Sequence, residues 1–304
     1  MAFRILSLDG GGVRGVLSAA LLERLESEVP FLAAVDLFAG TSTGGVIALG
    51  LADGMAPGEI KNQYIRNGQR IFSDTWLDDV ADLGRIIGAE YGNSKLKAFL
   101  RRSFGRKTLG DLPRHVLIPA FDLDNEGEHG RPRQWKAKFF HNFAGPGDDR
   151  AELVVDVAMA TSAGPAYFPT YKGYIDGGVV VNNPSVAALA QALDDRYPPR
   201  IQLRDIRLLS VGTGISGRYV AGQTHDWGYA QWAKPLLSLM IDGGLGVVDY
   251  QCRQLLTHKR YRRLAPFFKP GMTVDLDDVG RVGEMLDMAR TVDIADIVSW
   301  LRTW

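Results

Sequence analysis

One cysteine, Cys252, stands in 304 residues, which excludes an internal disulfide and any multi-cysteine zinc or iron–sulfur centre. Charge of one sign is also missing. The 35 Lys and Arg balance 35 Asp and Glu, which removes the overall basic footprint of a nucleic-acid polymer binder. A membrane-spanning helix needs ~18 consecutive apolar residues, and no such run exists; the longest ambiguous stretch, 235–248, is cut by Asp242 and glycines. The first residues, Met1 to Leu6, show no basic stretch ahead of a long apolar run, and Asp9 follows, so no secretory signal is read there. The expectation is a cytoplasmic protein.

Glycine is in excess, 35 residues where ~7% is usual, and its placement organises the chain. Phe3 to Leu8 predicts a buried strand ending in Asp9-Gly10-Gly11-Gly12. Apolar residues then recur at helical spacing over Val13–Val29, closed by Pro30. Val35–Ala39 predicts a second strand entering Gly40-Thr41-Ser42-Thr43-Gly44-Gly45, and Val46–Ala52 a second helix. Strand, glycine turn, helix, twice over, is the grammar of a parallel sheet covered by helices.

Residues 58–114 read as mostly helical, and 116–124 with 134–142 as two strands around a polar turn. Helices are predicted over 156–162 and 184–197, and a buried strand over 206–211. The stretch 215–232 predicts a long loop and 282–304 a helical tail. The alternation never restarts, so a single domain over 1–304 is expected.

Gly10-Gly11-Gly12-Val13-Arg14-Gly15 fits G-x-G-x-x-G between a strand and a helix, the setting of a dinucleotide-binding turn. A nucleotide-binding regulatory protein is therefore one reading. It also needs an acid at the end of the next strand, and Asp36 sits at the start of it. Gly40 to Gly44 is G-x-S-x-G where a strand turns into a helix, a setting that lifts Ser42 to the strand's C-terminal edge. The plainer alternative is a serine that caps the helix. Both turns suit acyl transfer: one offers a nucleophile, and the other aims backbone amides at the oxyanion that forms. Arg14 would add charge there or lock the loop by pairing with a carboxylate.

A nucleophilic serine needs a base. Of His115, His129, His141, His225 and His258, only the loop residue His225 is retained, as the base of a His-dependent esterase. Asp176-Gly177-Gly178 offers another candidate, since two glycines free the backbone to bring a carboxylate close to another group. Burial would raise the Asp176 pKa towards that of a useful base; the plainer reading is an Asx turn after a strand. Asp122 to Gly127 begins like a calcium loop, but its twelfth position is Arg133 where a bidentate Glu is required, so a hairpin is expected. The apolar and aromatic stretch from Trp227 to Ile241 is read as helix core, with an acyl channel or a membrane-resting surface as the alternatives.

Taken together, these residues resemble the patatin-like phospholipases. The likeness rests on Asp9 to Gly15, on Gly40 to Gly45 and on Asp176-Gly177-Gly178. It is reinforced by Ala160-Thr161-Ser162-Ala163-Gly164-Pro165-Ala166-Tyr167-Phe168-Pro169 and by Asn182-Asn183-Pro184, and it runs from about residue 3 to 214. The resemblance implies an α/β fold, a three-layer α/β/α sandwich on a mainly parallel sheet. It also implies a calcium-independent lipid acyl hydrolase with Ser42 as nucleophile and Asp176 as base. The amides around Gly10, Gly11 and Gly12 would form the oxyanion hole, supported by Arg14, and Gly40, Thr41, Thr43 and Gly44 the elbow. No cofactor and no metal are expected, and the substrate would be a phospholipid or related acyl lipid. Some bacterial relatives are antiviral effectors switched on by cyclic nucleotides, so a small-molecule activator or a homo-oligomer fits the resemblance. Residues 215–304, expected as a helical and loop part, carry no motif to transfer.

Overall fold

The computed structural model describes residues 2–71, 92–127, 130, 132–198, 200–217, 219–220, 226–269 and 271–304. Strand β1 (Phe3–Leu8) lies between two parallel neighbours, β2 (Leu37–Gly40) and β6 (Ile206–Val211). Both of its faces are therefore covered. Phe3 and Ile5 enter one apolar layer, Leu6 and Leu8 the other, which is why the run is apolar throughout instead of alternating.

The described strands form one sheet in the order β4-β3-β2-β1-β6-β7, where β3 is His115–Asp122, β4 is Lys136–His141 and β7 is Tyr261–Leu264. Pairings are parallel except at β3, which takes β4 antiparallel on one edge. The other edge of β3 is shared. Parallel β2 occupies it at His115–Leu117, and the short antiparallel β5 (Tyr174–Asp176) takes over at Ala120–Asp122. β2 and β5 thus approach each other nearly end to end, and the gap between them lies where β2 runs out.

Helices cover both faces. One layer holds α1 (Gly15–Glu28), α2 (Thr43–Ala52), α3 (Pro57–Ile71), α4 (Asn93–Phe104), α5 (Val154–Thr161), α8 (Val282–Thr291) and α9 (Ala295–Leu301). The other is thinner, with α6 (Ser185–Ala192) and the long α7 (Tyr229–Arg260) packed through Leu189, Cys252 and Leu256. The result is the predicted three-layer α/β/α sandwich on a mostly parallel sheet. In α4 the buried residues Leu96, Leu100 and Phe104 recur every fourth position, one stripe of an amphipathic helix.

Two expectations change. The loop predicted over 215–232 gives way to α7 at Tyr229. The part expected to be helix and loop contains strand β7, hidden from an apolar-run criterion because its sequence is Tyr-Arg-Arg-Leu. Among the described residues, no helix is long and apolar enough to cross a membrane. The 122–133 segment is the expected hairpin connection: β3 and β4 pair antiparallel, and Arg133 is ion-paired with Asp124.

Candidate active site

The turn from β2 into α2 is tight enough to dictate its glycines. A methyl group on Gly40 would overlap the Gly44 carbonyl, and one on Gly44 would overlap the Leu8 carbonyl. Between them Ser42 adopts φ 54° and ψ −123°, a conformation that residues with a side chain rarely take and that persists only when neighbours enforce it. Neighbours do enforce it. The Ser42 amide donates to Thr161 Oγ1 (2.8 Å), whose hydroxyl donates to the Pro119 carbonyl (2.6 Å). Thr41 Oγ1 donates to the Val181 carbonyl (2.6 Å). Beyond Ser42, the Tyr64 hydroxyl donates to the Thr43 carbonyl (3.2 Å) and bonds the Thr43 hydroxyl, and burial pushes the tyrosine up to about 12.

Asp176 closes β5, the strand aimed at that elbow. Its amide donates to the Ala163 carbonyl (2.9 Å), and a methyl group on Gly177 would overlap the Pro119 carbonyl. Its carboxylate accepts the Gly178 amide (2.7 Å), and the Ser42 hydroxyl is near enough to draw its pKa down. Burial raises Asp176 to about 6, held back by the neighbouring Ser42 hydroxyl and the Gly178 amide. The Asx turn and a place beside Ser42 are therefore compatible: the carboxylate that caps Gly178 lines the same cleft as the serine.

The glycine turn after β1 supplies the facing wall. The Gly10 amide donates to the Asn182 carbonyl (3.0 Å), the Val13 amide to the Leu276 carbonyl (2.7 Å) and the Arg14 amide to the Gly11 carbonyl (3.1 Å). The three glycine amides expected to act together differ here. Gly10 has spent its amide, and the two without an acceptor among the described residues belong to Gly11 and Gly12, which line the same cleft as Ser42. Gly12 holds φ +57°, where a side chain would be strained and would also meet the Leu276 carbonyl. Arg14 is buried, with Nε on the Gly11 carbonyl (3.4 Å) and a terminal nitrogen on Asp242 Oδ1 of α7 (3.5 Å), so it locks the loop.

Beneath the loop, Asp9 is clamped by Arg263 of β7 in a two-pronged buried ion pair (3.2 and 2.5 Å). Burial still holds the Asp9 carboxyl above its ordinary value, with Arg263 pulling it back. Arg263 also donates to Ser210 Oγ (2.6 Å). Nothing in a local reading of the sequence singled out Arg263, Asp242 or Tyr64; each acts across a long separation and belongs to no motif.

The cleft encloses about 1000 Å³, mouth included, and its walls are chiefly apolar, among them Val46, Leu96, Phe99, Phe168 and Ile241. Ile241, from the apolar stretch of α7, lines the cleft, whereas the side chains of Tyr229 and Leu237 lie outside the described residues. Leu236, Leu239 and Met240 are roughly half exposed, so for these residues the core-packing expectation does not hold. Asp36 takes the Arg4 amide (2.8 Å) at the start of β2, the opposite end of the sheet from the glycine turn. His115 stacks on Phe143, and His141 sits between Phe143 and Tyr197; neither lines the cleft, nor does His258. His129 and His225 lie outside the described residues. No cluster of metal-ligating side chains occurs among the described residues.

Comparison with known proteins follows this geometry. The family profile described as patatin-like phospholipase matches residues 6–189. A cGAMP-activated phospholipase of Pseudomonas aeruginosa is 33% identical over 92% of this chain and 83% of its own length. The putative sporulation hydrolase CotR of Bacillus subtilis is 32% identical over 87% of each. Among solved structures, VipD of Legionella pneumophila aligns over 95% of this chain and 67% of its own, at 12% identity and a TM-score of 0.41. The profile spans every glycine turn described above, and the chain belongs to the patatin-like phospholipase family.

Proposed function

We propose that this chain is a serine lipid acyl hydrolase of the phospholipase A type, with Ser42 as nucleophile and Asp176 as general base. The observation that carries the reading is the placement of Ser42 and the buried Asp176 carboxyl, raised to about 6, together in the wall of one apolar cleft. Ser42 Oγ attacks the ester carbonyl carbon as Asp176 takes its proton. The carbonyl electron pair moves onto oxygen, which the Gly11 and Gly12 amides receive. On collapse the bond to the leaving alcohol breaks, and Asp176 returns the proton to that oxygen. Water, deprotonated by Asp176, then attacks the acyl carbon; the Oγ–C bond breaks, the acid leaves and Asp176 returns the proton to Ser42 Oγ. No step is routed through a metal.

Incubation with a serine-reactive fluorophosphonate, followed by peptide mapping, should place the adduct on Ser42. Ser42→Ala and Asp176→Asn should each lose at least ~10³-fold in phospholipid turnover while keeping the fold. Wild-type rates in either variant sink the assignment. The similarity to a cGAMP-activated phospholipase of Pseudomonas aeruginosa supports adding a small-molecule activator to the reading, so the assay is run with and without cGAMP.

The exposed Leu236, Leu239 and Met240 adjoin Ile241 at the cleft wall and support a second element. In this reading the protein rests on the lipid surface through α7, so that an acyl chain passes into the cleft without crossing water. Leu239→Ser with Met240→Ser should reduce sedimentation with phospholipid vesicles and spare the hydrolysis of a short soluble ester. Unchanged vesicle binding removes this element.

A further inference from the structure

Strand β3 changes partner in the middle of the sheet. It pairs with β2 as far as Leu117 and with β5 from Ala120, which leaves Ile118 and Pro119 opposite the gap between the two. The Pro119 carbonyl is on the gap side, since a methyl group on Gly177 would overlap it. The strand ladder is interrupted there and a hydroxyl takes its place. Thr161 Oγ1 donates to the Pro119 carbonyl (2.6 Å) and accepts the Ser42 amide (2.8 Å). One side chain thus joins β3 to the residue that leaves the end of β2.

Thr161 is fully buried, at the last position of α5. A helical threonine commonly returns its hydroxyl to a carbonyl three or four residues back in its own helix; this one sends it across to the sheet. Its methyl group is confined as well, because a methyl group on Gly45, in the first turn of α2, would lie 3.0 Å from Thr161 Cγ2. Two residues further on, the Ala163 carbonyl accepts the Asp176 amide (2.9 Å). The end of α5 therefore holds the backbone of both Ser42 and Asp176, the first through a side chain and the second through the main chain. Ser42 is the strained one, at φ 54°, so it is the one that needs the stronger hold.

We propose that Thr161 is a positioning residue for the reaction: its hydroxyl, set in the gap between β2 and β5, holds the Ser42 elbow in register with the Asp176 turn. The inference rests on Ser42 being the nucleophile and Asp176 its base. Thr161 exchanges no proton with the substrate and touches none of the reacting atoms. Removing its hydroxyl leaves the Ser42 amide and the buried Pro119 carbonyl unpaired. The elbow then loses the bond that fixes its strained residue, and Ser42 Oγ departs from the geometry of attack, where a shift of ~1 Å costs on the order of 10²-fold. Substrate binding along the apolar wall does not use this bond, so the loss falls on kcat.

The test compares Thr161→Val, which keeps the shape and removes the hydroxyl, with Thr161→Ser, which keeps the hydroxyl and removes the methyl group. Each is assayed beside wild type on one phospholipid and one short-chain ester. The Val variant should lose ~10²-fold in kcat on both substrates with KM within ~3-fold, and fluorophosphonate labelling of Ser42 should slow by a similar factor. The Ser variant should stay within ~3-fold in kcat and in labelling, although it gives up a buried methyl group and should unfold at a lower urea concentration than wild type. Should the Val protein fail to fold, Thr161→Ala takes its place, since Ala and Ser differ by the hydroxyl alone. Val turnover within ~3-fold of wild type, equal losses in the Val and Ser variants, or a loss carried by KM overturns the inference. Ser42→Ala separates the two levels: if it stays active the nucleophile assignment falls, whereas an inactive Ser42→Ala beside a fully active Thr161→Val defeats only the role of Thr161.

Discussion

The first two thirds of the chain and the last third build the same cleft by different means. The first part supplies turns at strand ends: Gly10 to Gly15 after β1, Gly40 to Gly44 after β2, Asp176 to Gly178 after β5. Each turn is dictated by backbone demands, such as the overlap that any side chain on Gly40 would create and the positive φ at Gly12. The last third supplies single contacts instead. Arg263 clamps Asp9 across 254 positions, Asp242 meets Arg14 across 228, the Leu276 carbonyl takes the Val13 amide, and Ile241 joins the wall. The turns are local and patterned; the contacts from the last third are distant and unpatterned.

The sharpest way to break this comparison is to remove the buried clamp. Arg263→Met strips the buried Asp9 of its main partner, so the carboxyl must either ionise unpaired or take up a proton, a change that costs about 3–5 kcal/mol in comparable sites. Urea denaturation should show that loss in the unfolding free energy. Asp9→Asn added to Arg263→Met should recover part of it, because the stranded carboxyl is gone. A single variant as stable as the parent would mean that the last third does not hold the loop.

The same contrast explains what the sequence made legible. The β1–turn–α1 and β2–turn–α2 units could be read because an apolar run, a glycine cluster and a helical period follow one another without interruption. Ser42 and Asp176 were legible for a related reason, since their geometry leaves glycine signatures on either side. β7 was not, because half of its residues are arginines and one of them is buried by a partner 254 positions away. That the Gly10 amide is engaged while those of Gly11 and Gly12 have no acceptor among the described residues was equally hidden, as it depends on where Asn182 places its carbonyl. The exposure of Leu236, Leu239 and Met240 could not be read from hydropathy, which is the same for a core helix and a lipid-facing one.

A smaller effect tests the motif-bearing side. Asp176 has a folded pKa of about 6 against 3.8 in its absence, so the native state holds this proton more tightly than the unfolded chain does. Its contribution to stability is therefore lost as pH rises from about 4 through 6, and above that the ionised buried carboxylate destabilises the fold by about 2–3 kcal/mol. Asp176→Asn should be more stable than the parent by that order at pH 8 and should match it near pH 3.5, in denaturant titrations at both values. Activity should run the opposite way. The parent's rate rises through pH 6 as the base ionises, and the variant stays inactive throughout. A stability difference independent of pH would mean that the carboxylate is not held in the environment described.

The smallest expected effect lies at the seam between the two regions. Arg14 and Asp242 meet at 3.5 Å, with the aspartate side chain 35% exposed, so solvent and salt weaken the pair. Asp242→Asn should change the unfolding free energy by less than about 1 kcal/mol. Its influence should appear instead in the loop that Arg14 braces: the parent's fluorophosphonate labelling rate should fall modestly between low and high salt, and the variant's rate should start lower and depend less on salt. The distinction matters because Arg14 also holds the Gly11 carbonyl through Nε. If that bond alone braces the loop, Asp242→Asn will label as the parent does at every ionic strength, and α7 contributes a wall to the cleft without steadying the amides that face Ser42.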